Sequence, residues 1–158
     1  MAAVKPGRKA PKDAPQELST MGVAWTHMVA LHAQVDNHLE RVLRRHFEFG
    51  LSEFLALSAC AGAPDGEMRM QELAAAVFLN QSSVSRLIGR LERAELTERR
   101  ICEYDRRGVY TGITEHGKDV LRKAVPVYET ALRDAFAQVR ADASLAPLAD
   151  AIDTTYQT

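Results

Sequence analysis

Residues 80–108 read NQSSVSRLIGRLERAELTERRICEYDRRG, and this stretch decides the fold. Its first half has the period of an α-helix. Val84, Leu87, Ile88 and Leu91 recur at i, i+3, i+4 and i+7, one apolar stripe that has to face a core. The opposite face carries Ser82, Ser85, Arg86, Gly89 and Arg93, with Gln81 and Arg90 on its flanks. Short hydrogen-bonding groups therefore sit beside long cations. Such a face suits a helix lying in a DNA major groove, where Arg reads guanine and Ser or Gln reaches base edges or phosphates. The plainer alternative is a solvated face on which Arg86 and Arg90 make only i,i+4 pairs. Asn80 is placed to cap the helix, because its side-chain oxygen can accept from the unpaired amides of the first turn. Those amides would also suit a phosphate.

The second half reads as a hairpin. Residues 96–101 and 109–113 are β-prone runs, and residues 102–108 lie between them. Arg106 and Arg107 stand at the tip, with Asp105 just before them. Paired arginines on a protruding loop suit a wing reaching into a minor groove, where the negative potential attracts a guanidinium. Asp105 cannot bind phosphate, so we expect it to pair with an arginine and hold the loop.

Working outward, residues 71–77 predict the first helix of a helix-turn-helix, with Leu73, Ala74 and Val77 inward. Phe78 and Leu79 form the turn, with Leu79 under the second helix. The stretch Ala63-Pro64-Asp65-Gly66 is a turn. Phe54, Leu55, Leu57 and Ser58 begin a core helix that runs to about Gly62, and Gly50-Leu51-Ser52 ends the helix before it and caps this one. Upstream, Leu18, Met21, Trp25, Met28, His32, Val35, Leu39, Val42 and His46 alternate in steps of three and four, a seam more than four heptads long. Downstream, Thr114 should cap a helix from Glu115 to about Arg140, bent at Pro126. A last helix follows over 145–155, capped by Ser144. Residues 1–16, with three prolines and four cations, read as a disordered basic tail.

The ordered set of motifs resembles the MarR family, the winged helix-turn-helix regulators named for multiple antibiotic resistance. It comprises Leu73-Ala74, Asn80 through Ile88, Leu91-Glu92, Leu96, Arg99-Arg100, Asp105-Arg106-Arg107 and Ile113-Thr114-Glu115-His116-Gly117. The match spans about residues 51–125. Glu95 stands where the family usually has Gly, Thr97 where it has Val, and Gln71 where a Ser or Thr cap is common.

The resemblance implies a mainly α fold. A winged helix-turn-helix DNA-binding lobe with a two-stranded β wing (50–114) would be joined to an all-helical dimerisation lobe. That second lobe would be built from the N-terminal helix (17–49) and the C-terminal helices (115–158). It further implies a homodimer that presents two recognition helices about 34 Å apart to a pseudo-palindromic operator. The implied function is transcriptional repression. Gln81, Ser82, Ser83, Ser85, Arg86 and Arg90 would meet the major groove, and Arg106 and Arg107 the minor groove. Relatives respond to small phenolic or aromatic anions held near the dimer helices, which nominates Trp25, His32, His38, Phe47 and Phe49 as ligand-binding residues.

Composition is ordinary for a soluble globular protein: 158 residues, 46% hydrophobic and 26% charged. The net charge of −1 gives no hint of nucleic acid, but residues 86–107 hold seven arginines against five acids, so positive charge is concentrated there. No apolar run could cross a membrane and no signal-peptide core is present, so we expect a cytosolic protein. The two cysteines, Cys60 and Cys102, suggest no disulfide framework.

Three alternatives stay open. Cys102 lies near Arg99, Arg100 and Arg106, and cations lower a thiol pKa, so the wing could sense oxidants. His27, His32, His38 and His46, with Glu40, could be metal ligands, although none forms a His-x-x-x-His pair; we expect neither metal nor cofactor. The module could also bind protein instead of DNA. No nucleophile elbow, phosphate-binding glycine loop or HExxH motif suggests an enzyme.

Overall fold

The computed structural model describes residues 17–101 and 109–156. The elements run α1 (Thr20–His46), α2 (Leu51–Gly62), β1 (Glu67–Arg69), α3 (Met70–Ala76), α4 (Gln81–Arg93), β2 (Thr97–Ile101), β3 (Val109–Ile113), α5 (Glu115–Val139) and α6 (Ala146–Tyr156). It is a mainly helical, winged-helix fold, as expected. One element was not anticipated. The sheet has three strands in the order β1-β3-β2, both pairings antiparallel, because Glu67, Met68 and Arg69 pair with Gly112, Thr111 and Tyr110.

Two apolar clusters organise the chain. The first gathers Phe54, Leu57 and Cys60 of α2, Leu73 of α3, the α4 stripe, Leu96, Ile113, and Leu121 and Ala124 of α5. The second lies between the long helices and gathers Leu31, Val35 and Leu39 of α1, Ala131, Ala135 and Val139 of α5, and Leu145 and Ala149. Leu51 and Tyr128 pack against both. The Tyr128 ring stacks on Phe54 at 4.4 Å between centroids and ties α5 to α2. Burying each Leu or Ile of the α4 stripe contributes about 1.5–3 kcal/mol relative to leaving it in water.

The α1 seam is corrected in part. Its buried residues are Leu31, Val35, Leu39 and Leu43, at strict i+4 spacing. Leu18, Met21, Trp25 and Met28 are exposed in the single chain. Helix α2 starts within the stretch expected to cap it, with Gly50 at the N-cap; the Gly50 amide donates to Glu53 Oε2 at 3.2 Å, and the Leu51 amide to Glu40 Oε2 of α1 at 2.6 Å. Pro126 lies within α5, which continues through it as one helix. Before α6, Ser144 does not reach forward. Its amide and hydroxyl both donate to Asp142 Oδ1, at 2.9 and 2.7 Å.

Candidate nucleic-acid interface

Helix α4, the candidate recognition helix, is fixed at both ends by local chemistry. At its start, Asn80 Oδ1 accepts from the Ser83 amide at 2.9 Å and from the Ser82 hydroxyl at 2.8 Å. At its end, Leu96 N–H donates to Leu91 O and Glu95 N–H to Glu92 O, both at 2.9 Å. That pair of bonds is a Schellman motif, which needs a left-handed residue at its centre. Glu95 takes that role with φ 59°. The turn geometry usual for glycine is therefore kept here without glycine. Leu96 then enters the core at 5% exposure, and Thr114 joins the two ends of the wing by donating to Glu95 O at 2.7 Å. Thr114 also caps α5, accepting from Gly117 N at 2.9 Å. Gly117 has to be glycine, since a Cβ there would lie 2.1 Å from Leu96 O.

With the ends fixed, the faces of α4 sort themselves. Val84, Leu87, Ile88 and Leu91 are buried to 2% exposure or less. Gln81, Ser82, Ser85 and Arg86 are exposed, and Ser83 is half-buried with its amide on Asn80. The arginines are not equivalent. Arg90 donates through Nε and Nη2 to Glu53 Oε1 at 3.0 and 2.5 Å. Arg93 turns its Nε to Gly89 O at 3.0 Å. On the strands, Arg99 pairs with Glu92 at 3.0 Å, and Arg100 with Glu98 at 2.7 Å and Glu67 at 3.3 Å. Arg86 stands exposed with no ion pair among the described residues. Positive charge is thus left uncompensated near the first turns of α4. Asp105, Arg106, Arg107 and Cys102 lie outside the described residues.

The Glu53–Arg90 pair is a site feature that sequence reasoning missed. Glu53 is 4% exposed, on the same α2 face as Leu57 and Cys60. An acid at i of an apolar i, i+4, i+7 stripe is a signal in itself, because a buried carboxylate needs a partner. Burial pushes the Glu53 carboxyl up, but the Arg90 hydrogen bonds and charge, with the Gly50 amide, outweigh it and hold it below its ordinary value. Arg90 thereby aligns α4 against α2, with its guanidinium already engaged.

The five expected ligand-binding side chains do not converge within the chain. His38 borders a hollow of about 470 Å³ between α1 and α5, with Val42, His46, Pro126, Thr130 and Asp134. Phe47 and Phe49 stack at 5.2 Å and border a second hollow of about 220 Å³ with Leu96, His116 and Val120. Trp25 is 64% exposed, and the exposed His32 lies 3.5 Å from Asp36. The α1 histidines are not gathered either, and among the described residues no three His, Cys, Asp or Glu side chains are placed to hold a metal ion. Burial pushes the Cys60 thiol up to about 11, which leaves it unreactive. No helix among the described residues is long and apolar enough to cross a membrane.

Comparison with known proteins agrees with this geometry. A MarR family sequence model matches residues 49–108, the span from Phe49 through the wing. No curated protein matches by sequence. Among solved structures, AbsC, a MarR family transcriptional regulator from Streptomyces coelicolor, is 28% identical with a TM-score of 0.71, over 89% of this chain and 95% of its own. A second MarR family regulator from Streptomyces coelicolor, solved in complex with DNA, is 26% identical with a TM-score of 0.71, over 93% and 94% of the two chains. BpsR of Bordetella bronchiseptica, whose DNA binding is regulated by 6-hydroxynicotinic acid, is similar in fold at 20% identity and a TM-score of 0.58, over 70% and 84%. Residues 49–108 thus carry a MarR family sequence match, and the chain as a whole has the fold of MarR family transcriptional regulators.

Proposed function

We propose that the protein is a homodimeric, sequence-specific DNA-binding repressor acting in the cytoplasm on an inverted-repeat operator. The observation that carries this reading is the outer face of α4, where Gln81, Ser82, Ser85 and Arg86, which has no ion pair among the described residues, stand over a fully buried stripe. Arg86 is the base reader, the serines and Gln81 reach base edges and phosphates, and Arg106 or Arg107 enters the minor groove. Arg90 acts as a positioning residue through Glu53. The division into a basic tail (1–16), an N-terminal dimerisation helix (17–49), a DNA-binding lobe (50–114) and C-terminal dimerisation helices (115–158) belongs to the same proposal.

The dimer is supported by the apolar residues that one chain leaves in solvent. Met21, Trp25, Met28 and Val29 of α1 are 50–82% exposed, with Leu18 before them at 63%. A patch of this kind marks a contact surface. A small aromatic anion as effector is supported by the 470 Å³ hollow under His38 and His46, which is of ligand size.

The test is a gel shift on duplexes enriched from a random library by the full chain. Arg86→Ala should weaken binding about 5- to 150-fold, at 1–3 kcal/mol for a lost bidentate contact, with an unchanged unfolding midpoint. Absence of any saturable, salt-sensitive band for the unsubstituted protein rules the reading out.

A further inference from the structure

Among the described non-glycine residues, positive φ occurs at Asp65, Phe78 and Glu95. Only Phe78 of these carries an apolar side chain. Its backbone sits at φ 54° and its ring is 93% exposed, the highest value among the described exposed large hydrophobic residues. Both features are unfavourable, since a bulky residue resists the left-handed region and an exposed aromatic ring gains nothing from burial. Glycine would remove both costs. A local outlier of this sort is a reason to look for a function.

The turn gives the ring no way inward. Phe78 N–H donates to Ala75 O at 3.3 Å and Leu79 N–H to Ala74 O at 3.0 Å, which pins the backbone to the end of α3. Val77 on one side is buried and Leu79 on the other packs on the first core, so the core positions are taken. Phe78 is left two residues before the Asn80 cap, at the end of α4 that carries Gln81, Ser82 and Arg86. The apolar residues assigned above to the subunit contact lie on α1, not on this turn. The ring therefore extends the proposed DNA face, and this inference rests on that reading. In the major groove the apolar group on a base edge is the thymine methyl.

We infer that Phe78 is a DNA-contact and specificity residue, its ring packing on thymine methyl groups at the edge of the major groove entered by α4. The contact discriminates by shape and apolarity, where Arg86 discriminates by hydrogen bonds.

The experiment uses the full chain, a duplex that it enriches from a random library, and the same duplex with each thymine in turn replaced by deoxyuridine, which removes only the methyl. The unsubstituted protein should bind about 4-fold more weakly for each contacted methyl that is lost. Phe78→Gly and Phe78→Asn should both bind the thymine duplex with that weaker affinity and ignore the methyl, while the unfolding midpoint of Phe78→Gly rises. Asn tolerates the left-handed turn without added flexibility, so agreement between the two variants assigns the loss to the ring. Arg86→Ala should keep the methyl discrimination while losing affinity. If both Phe78 variants keep the affinity and the discrimination, the inference is overturned and the DNA reading stands. An unsubstituted protein indifferent to every methyl overturns the thymine assignment. One that enriches no duplex overturns the DNA reading and this inference together.

Discussion

Helix α4 and the first half of α1 are both amphipathic, yet one chain covers only the first of them. In α4, Val84, Leu87, Ile88 and Leu91 are sealed at 2% exposure or less, because α2, α3 and β2 lie against them. In α1, Met21 is 82% and Trp25 64% exposed, whereas Leu31, Val35 and Leu39 further along are buried against α5 and the start of α6. The apolar repeat continues past the point where the described residues set anything against it. Periodicity thus says that a face will be buried, not which partner buries it. The core around α4 is complete in one copy, and we propose that the upstream half of α1 is completed by a second.

The sharpest way to break this comparison is a substitution in each helix. Leu87→Ala should cost about 2–5 kcal/mol of unfolding free energy in urea titration, since it empties a sealed core position. Trp25→Glu should leave that free energy per folded lobe nearly unchanged but weaken self-association by at least about 30-fold in sedimentation equilibrium, the loss expected of an aromatic anchor at 2 kcal/mol or more. Equal effects of the two on folding would erase the distinction.

A middle-sized effect tests how α4 is held. Glu53→Gln should destabilise the lobe by about 1–2 kcal/mol, because it weakens charged hydrogen bonds to an Arg90 that is itself half in water. The sign of the pH dependence follows from the lowered Glu53 pKa. Its contribution is complete above the ordinary value of 4.5 and disappears as pH falls through the lower folded value. Below that range, the variant and the unsubstituted protein should converge in stability. A difference that persists in acid would place the effect elsewhere.

The smallest effects concern backbone and satisfaction. Glu95→Gly should stabilise by about 1 kcal/mol, since φ 59° is free for glycine and strained for glutamate. Thr97→Val should add about 1 kcal/mol, because the Thr97 hydroxyl is buried without a hydrogen-bond partner among the described residues. Both are read as shifts of the denaturation midpoint at constant slope.

What could be read from the chain alone follows the range of the interactions. Asn80 and Thr114 were legible as caps because a cap needs only the next three amides, and the α4 stripe because one helix face repeats locally. Strand β1 was not, since Glu67-Met68-Arg69 is too short a run to establish a repeat and exists as a strand only by pairing with β3. Ser144 had capping chemistry, but its amide and hydroxyl both turn back to Asp142, two positions earlier. Arg90 looked identical to Arg86 until Glu53, 37 positions away in the chain, was brought beside it. At Glu95 the glycine usual in the resembling family is absent, yet core contacts at Leu91 and Leu96 hold the left-handed turn regardless.

The most direct test is the mass of the complex. The full chain should be mixed with a duplex that it has enriched, and the assembly weighed by sedimentation or native mass spectrometry across a salt series. We predict two chains per duplex, two half-sites about one helical turn apart, and affinity that falls steeply and linearly in log–log form with salt. One chain per duplex, or an affinity indifferent to salt, would contradict a paired presentation of Arg86.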